Sequence, residues 1–201
     1  MIRVLIAEDQ ALLRQALADI LARYEDINVV SQVGRGDQIV AAALQARPDV
    51  ALLDIEMPGR DGLTAAGELR DRLPSCHVLI LTVFGRPGYL RRALDQGAIG
   101  FILKDASPSV LVDAIRRTAL GERVIDPQLA VATLEEGENP LTPREREILA
   151  MSASGSTAGE LARALHLSEG TVRNHLSLAI QKLNARTRLE AIRLAQEKGW
   201  L

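Results

Sequence analysis

Three apolar runs of strand length constrain this chain more than any other feature: IRVLIA (2–7), DVALLD (49–54) and VLILTV (78–83). A strand with one wet face alternates apolar and polar residues, so continuous apolar runs belong to parallel strands covered on both faces. NVVSQV (28–33) and AIGFIL (98–103) are shorter and more mixed. Between these runs the spacing becomes helical. Leu13, Leu17, Ile20, Leu21 and Tyr24 recur every three or four residues, and further helices are expected over 37–47, 63–73, 88–96 and 108–119. The last opens on Ser107-Pro108, which reads as an N-cap with proline at the first helical position. The resulting order, (βα)5, predicts an α/β doubly wound parallel sheet, and ligands of such sheets bind at the carboxyl ends of the strands.

Five polar residues fall at that edge. Glu8 and Asp9 follow the first strand, Asp54 ends the third, Thr82 sits at the end of the fourth, and Lys104 follows the fifth. Each alone has a plain account, since strand-end acids and threonines are common loop residues and Lys104 beside Asp105 reads equally as a solvated pair. Together they define a site. Three carboxylates at close range repel one another and call for a hard cation, and oxygen donors suit Mg2+. An aspartate beside such an ion is a candidate nucleophile toward a phosphoryl group, while the metal and a lysine neutralise charge on the transferred oxygens. Asp54 is the candidate phosphate carrier.

AED (7–9), DIEMPGRDG (54–62), Thr82 and Lys104 together resemble the receiver domain of two-component response regulators, over the whole front of the chain. The resemblance implies that a sensor histidine kinase phosphorylates Asp54. It implies that Glu8, Asp9, Asp54 and the backbone carbonyl of Glu56 hold Mg2+, and that Lys104 pairs with the phosphoryl group. Thr82 would move toward that group, and Phe101 occupies the position of the switch aromatic; without a tyrosine's hydroxyl it would switch by burial. The rival reading is an enzyme, a Mg2+-dependent phosphatase with Asp54 as transient nucleophile and Glu56 as leaving-group acid. No cap or substrate pocket accompanies it in the sequence.

Charge divides the chain. Residues 1–139 carry 15 Lys and Arg against 20 Asp and Glu, whereas residues 140–201 carry 9 against 6, which points the second part toward nucleic acid. No apolar run approaches the roughly eighteen residues of a membrane span, and the early acids rule out a signal peptide, so a cytoplasmic protein without membrane insertion is expected. Cys76 has no partner for a disulfide, and His77, His166 and His175 lack metal-ligand spacing. GERVIDPQLAVATLEEGEN (121–139) reads as a linker with a short helix over PQLAVATL, separating a unit of residues 1–120 from one of residues 140–201.

Thr142 with Glu145, Thr157 with Glu160 and Thr187 with Glu190 have capping-box form, and Ser168 caps a further helix. Helices are expected over 143–153, 157–165, 169–183 and 188–198, a small all-α four-helix domain whose middle pair has helix-turn-helix spacing. In the third, Val172, Leu176, Ala179, Ile180 and Leu183 share an apolar face; Thr171, Arg173, Asn174, Ser177, Gln181 and Lys182 lie opposite. That polar face suits base edges and phosphates, but any four-helix bundle has one, so spacing alone does not decide. LTPREREIL (141–149), ELARALHLSEGTVRNHL (160–176) and KLNARTRLEAI (182–192) resemble the LuxR-type DNA-binding domain. By position, Arg173, Asn174 and Ser177 would face the major groove, and Thr171, His175 and Lys182 would contact the DNA backbone or brace the helix. A receiver followed by a LuxR-type domain resembles the NarL/FixJ class, and AEDQ, DIEMPG, NPLTPRE, VRN and EKGW are most similar to its DesR-type subgroup, which acts with membrane sensor kinases on fatty-acid desaturase genes. The class implies a homodimer on phosphorylation, through the first and fifth helices around Leu13, Ala16 and Val112, reading half-sites of double-stranded DNA about one turn apart. A protein with a vestigial receiver is the second rival; the complete acid, Thr and Lys set argues against it.

Overall fold

The computed structural model describes residues 1–83, 87–126, 129–131 and 139–201. An α/β unit reaches to Val131 and a helical unit ends at Leu201.

In the α/β unit, β1 (Ile2–Ala7), β2 (Ile27–Val33), β3 (Val50–Leu53), β4 (His77–Thr82), β5 (Gly100–Leu103) and β6 (Val124–Ile125) form one parallel sheet in the order β2-β1-β3-β4-β5-β6. The crossovers are α1 (Ala11–Leu21), α2 (Ile39–Ala46, after a 3-10 turn at Gly36–Gln38), α3 (Gly62–Arg72), α4 (Pro87–Asp95) and α5 (Pro108–Ala119). Val4, Ile6, Val50, Leu52, Leu79 and Leu81 pack with Leu17, Leu21, Leu111 and Ile115 in one core. The residues between them, Leu5, Ala51, Leu53 and Ile80, are buried as well and point to the opposite face, which is why these strands carry no polar alternation. The order reverses between β1 and β3, the switch point of a doubly wound sheet.

Two local expectations differ. Ser107 stands at the N-cap of α5, but its hydroxyl makes no cap bond and meets the Ser109 hydroxyl at 3.0 Å. The segment expected as a linker from residue 121 begins with a strand. Gly121 takes a left-handed φ of 79°, its N–H bonds the Thr118 carbonyl at 2.9 Å, and the chain turns back so that the Val124 N–H reaches the Ile99 carbonyl at 3.0 Å. A two-residue strand is too short for periodicity to reveal. Of the short helix expected over 127–134, residues 127–128 and 132–134 lie outside the described residues, as do 84–86 before α4.

The helical unit contains α6 (Pro143–Ser152), α7 (Ala158–Ala164), α8 (Glu169–Lys182) and α9 (Arg188–Glu197). The capping boxes at Thr142 and Thr157 are complete. At Thr187 only half forms: the hydroxyl accepts from the Glu190 N–H, while the Glu190 carboxylate accepts from the Arg186 N–H at 2.7 Å instead. Ile148, Leu149, Leu161, Val172, Leu176, Ala179, Ala191 and Ala195 form the core. His166, at a φ of 53°, turns the chain between α7 and α8. Among the described residues no helix is long and apolar enough to cross a membrane.

Candidate metal centre and nucleic-acid interface

Strands β1 and β3 pair with Ala7 opposite Leu53, and the Asp54 N–H bonds the Ala7 carbonyl at 2.9 Å. The acids that follow these strands therefore meet. Carboxylate oxygens of Glu8, Asp9 and Asp54 lie within 4.8 Å of one another; Glu8 and Asp54 are buried and Asp9 is exposed. The Gln10 N–H holds one Glu8 oxygen at 3.2 Å, and the Ile55 N–H holds Asp54 Oδ1 at 2.8 Å.

Lys104 enters from the end of β5, its Nζ 2.7 Å from Glu8 Oε2 and 2.9 Å from Asp54 Oδ2. The distances are those of hydrogen bonds but the angles are not, and neither Nζ nor Glu8 Oε2 completes one among the described residues. Burial pushes the Glu8 carboxyl above its ordinary range and Asp54 adds repulsion, outweighing the relief from Lys104. Burial opposes the Lys104 charge too, but Glu8 and Asp54 overcome this and raise its pKa. One ammonium against three carboxylates leaves negative charge unbalanced, and the donors are all hard oxygens. The residues fit a small divalent cation such as Mg2+.

The cluster opens into a cavity of about 100 Å³ lined by Asp9, Gln10, Asp54, Glu56, Thr82, Val83 and Lys104. Thr82 is buried at the end of β4, and its carbonyl accepts from the Lys104 N–H at 2.8 Å. Glu56 is exposed at the rim. Phe101 stays apart from the cavity, fully buried in β5 between Ile80 and Ile125. Sequence reasoning missed Gly62. Its N–H bonds the Ile55 carbonyl at 2.9 Å, and a Cβ there would stand 1.9 Å from the Asp54 carbonyl oxygen, so only glycine lets α3 start this close beneath Asp54.

In the helical unit, α8 exposes Arg173, Asn174 and Ser177 on one side. Ser168 caps the helix through the Thr171 N–H, and the two hydroxyls lie 2.8 Å apart. Arg173 pairs with Glu169 one turn earlier at 2.8 Å. His175 is half-buried, and its Nδ1 finds no hydrogen-bond partner among the described residues. Lys182 braces: its Nζ lies 2.7 Å from Oε2 of Glu145, which is 3% exposed. Burial works against charge on Glu145, but Lys182 and the Thr142 N–H and hydroxyl overcome it and hold the carboxyl below its ordinary range.

Residues 4–116 match the response regulator receiver domain, and residues 139–195 match the bacterial regulatory proteins of the luxR family. The chain is 48% identical to the uncharacterized transcriptional regulatory protein YvfU of Bacillus subtilis (strain 168) over 201 residues, all of both chains. It is 43% identical to the transcriptional regulatory protein DesR of the same strain over 200 residues, covering 100% of this chain and 99% of that protein. The solved structure of the two-component response regulator RcsB–DNA complex superposes with a TM-score of 0.68 at 25% identity, over 98% of each chain. A parallel sheet with its acids at the switch point, followed by a capped helix-turn-helix, places the chain among the DNA-binding two-component response regulators of the NarL/DesR type, to which it belongs.

Proposed function

We propose that Asp54 accepts a phosphoryl group from a sensor histidine kinase and that this modification promotes dimerisation and sequence-specific binding of double-stranded DNA. The observation that carries the reading is the placement of Asp54: buried at a strand end, facing a small open cavity, with the Lys104 ammonium 2.9 Å away. An Asp54 oxygen attacks phosphorus as the bond to the donor's histidine nitrogen breaks. Lys104 then exchanges its Asp54 contact for a phosphoryl oxygen, and Thr82, lining the same cavity, offers its hydroxyl. Glu8, Asp9, Asp54 and the Glu56 carbonyl would hold Mg2+, whose charge offsets that of the transferred oxygens. Phe101, buried beside β4 and β6, would carry the change into the sheet.

The functional division is a receiver that runs past the expected boundary at residue 120 to take in β6, a linker after it up to residue 139, and residues 140–201 as DNA-binding domain, in the cytoplasm. Arg173, Asn174 and Ser177 would read bases, with Thr171 and His175 at the DNA backbone and Lys182 bracing the helix through Glu145. The expected dimer face needs one correction: Val112 is 1% exposed inside the core, so α1 and α5 can offer Leu12 and Val110, which are exposed, but not Val112. Control of membrane-lipid desaturation genes rests on the motif resemblance to the DesR-type subgroup, since identity to YvfU exceeds identity to DesR.

Incubation with acetyl phosphate and Mg2+, followed by intact mass and light scattering, tests the reading. One phosphoryl group on wild type, none on Asp54→Ala, and a dimer only in the first are expected. Sustained multiple-turnover release of phosphate from substrates would support the phosphatase instead.

A further inference from the structure

A cation outside the acid cluster grips the backbone that carries it. Arg14, half-buried on α1, donates from Nη1 to the Glu8 carbonyl at 2.5 Å, with a longer contact of 3.5 Å to the Asp9 carbonyl. Its guanidinium lies against Gly34, just past β2: a Cβ on Gly34 would come 2.9 Å from Nη1 and 3.5 Å from Cζ. On its other side Glu8 is held by β2, its N–H bonding the Val33 carbonyl at 3.1 Å. The first acid of the cluster is thus fixed at its N–H, its carbonyl and one carboxylate oxygen. Asp9, exposed and next in the chain, takes its direction from the same backbone.

We propose that Arg14 is a positioning residue for the cation site, locking the turn between β1 and α1 so that the Glu8 and Asp9 carboxylates face Asp54, with Gly34 as the seat of its guanidinium. This rests on reading the acid cluster as a Mg2+ site. Charge-assisted bonds to carbonyls are stronger than neutral ones; both contacts come from Nη1, while the rest of the planar guanidinium lies against Gly34, a seat that the compact ammonium of a lysine does not fill. Simple electrostatics predicts the opposite of positioning: losing a positive charge near the acids would tighten cation binding.

The test is calorimetric titration of the full chain with Mg2+, with amide exchange of residues 8–11 measured in EDTA, for wild type, Arg14→Met, Arg14→Lys and Gly34→Ala. Partners that orient metal ligands from behind are worth roughly tenfold or more in affinity. About a tenfold loss is expected for Arg14→Met, a smaller one for Arg14→Lys, and a loss also for Gly34→Ala, which displaces the guanidinium without changing charge. Exchange at 8–11 should quicken in the metal-free variants while β3 and β4 keep their protection. Wild type that fails to bind Mg2+ overturns the reading of the site and the proposal with it. Wild-type binding with equal or tighter binding by Arg14→Met, or by Gly34→Ala where Arg14→Met does not fold, overturns the proposal alone.

Discussion

Lys104 Nζ stands 2.7 Å from Glu8 Oε2, a buried ion pair whose side chains are 8% and 1% exposed. Breaking a buried pair from one side leaves an uncompensated charge and costs about 3 kcal/mol or more. Here Asp54 shares the same ammonium, so its removal leaves two buried carboxylates facing each other. Lys104→Met is expected to lower the denaturation midpoint of the α/β unit in EDTA. Saturating Mg2+ should return more stability to the variant than to wild type, because the cation replaces the missing charge. Urea unfolding with and without Mg2+ measures both.

Gly62→Ala should disrupt the same edge without altering charge. The added methyl would stand 1.9 Å from the Asp54 carbonyl oxygen, which is backbone and cannot swing away. Overpacking of this kind costs about 3 kcal/mol. Gly170→Ala is the opposite case, because that position lies in the first turn of α8 and the nearest atom to an added Cβ is 3.7 Å away. It should gain about 0.5 kcal/mol through the unfolded chain. Thermal denaturation of the two variants should move in opposite directions.

The parts of the fold that sequence could reveal are those with a period or a cap. Three buried apolar runs located β1, β3 and β4 to within a residue or so at each end, because strands covered on both faces leave no polar interruption. Thr142 and Thr157 marked helix starts through reciprocal bonds with an acid three residues on. Strand β6 was illegible: what defines it is pairing with β5, not a pattern within Val124–Ile125. The acid cluster was legible because each member ends a strand. Gly62 was not, since a glycine at a helix start reveals a need for closeness only when the neighbouring backbone is known. Val112 lies three residues before Ile115 and joins it and Leu111 in the core, so only packing shows which flank of α5 is left exposed.

Glu145 gives the helical unit an acid-sensitive tie. Its folded pKa is depressed below the ordinary value of 4.5, so its contribution to stability is present above about that pH and is lost as pH falls through the lower folded value. Lys182→Met removes one source of the depression. About a third of the lysine side chain is exposed, so screening holds the expected loss near 1 kcal/mol. The variant should therefore be less stable than wild type at neutral pH, and the gap should narrow on acidification below pH 4.5. Melting curves across that range check the sign.

The same ion pair separates two roles that the polar face of α8 combines. Arg173 and Asn174 are exposed, and the Glu169 partner of Arg173 is on its own helix, so truncating either residue removes nothing that joins helices. A base contact made by such a side chain is worth about 1–3 kcal/mol of discrimination. Arg173→Ala and Asn174→Ala should each weaken binding to a duplex selected from a random pool by wild-type protein, relax the preferred base at one position per half-site, and leave the melting temperature unchanged. Lys182→Met should instead lower the melting temperature and weaken all duplexes alike, because it loosens α8 against α6 without touching a base edge. Glu169→Gln discriminates further. It frees Arg173 and removes a negative charge near the phosphates, so affinity for unselected DNA should rise and selectivity should fall. Competition binding of selected against unselected duplex for the four variants decides the assignment; loss of selectivity in Lys182→Met, with selectivity intact in Arg173→Ala, would reverse it.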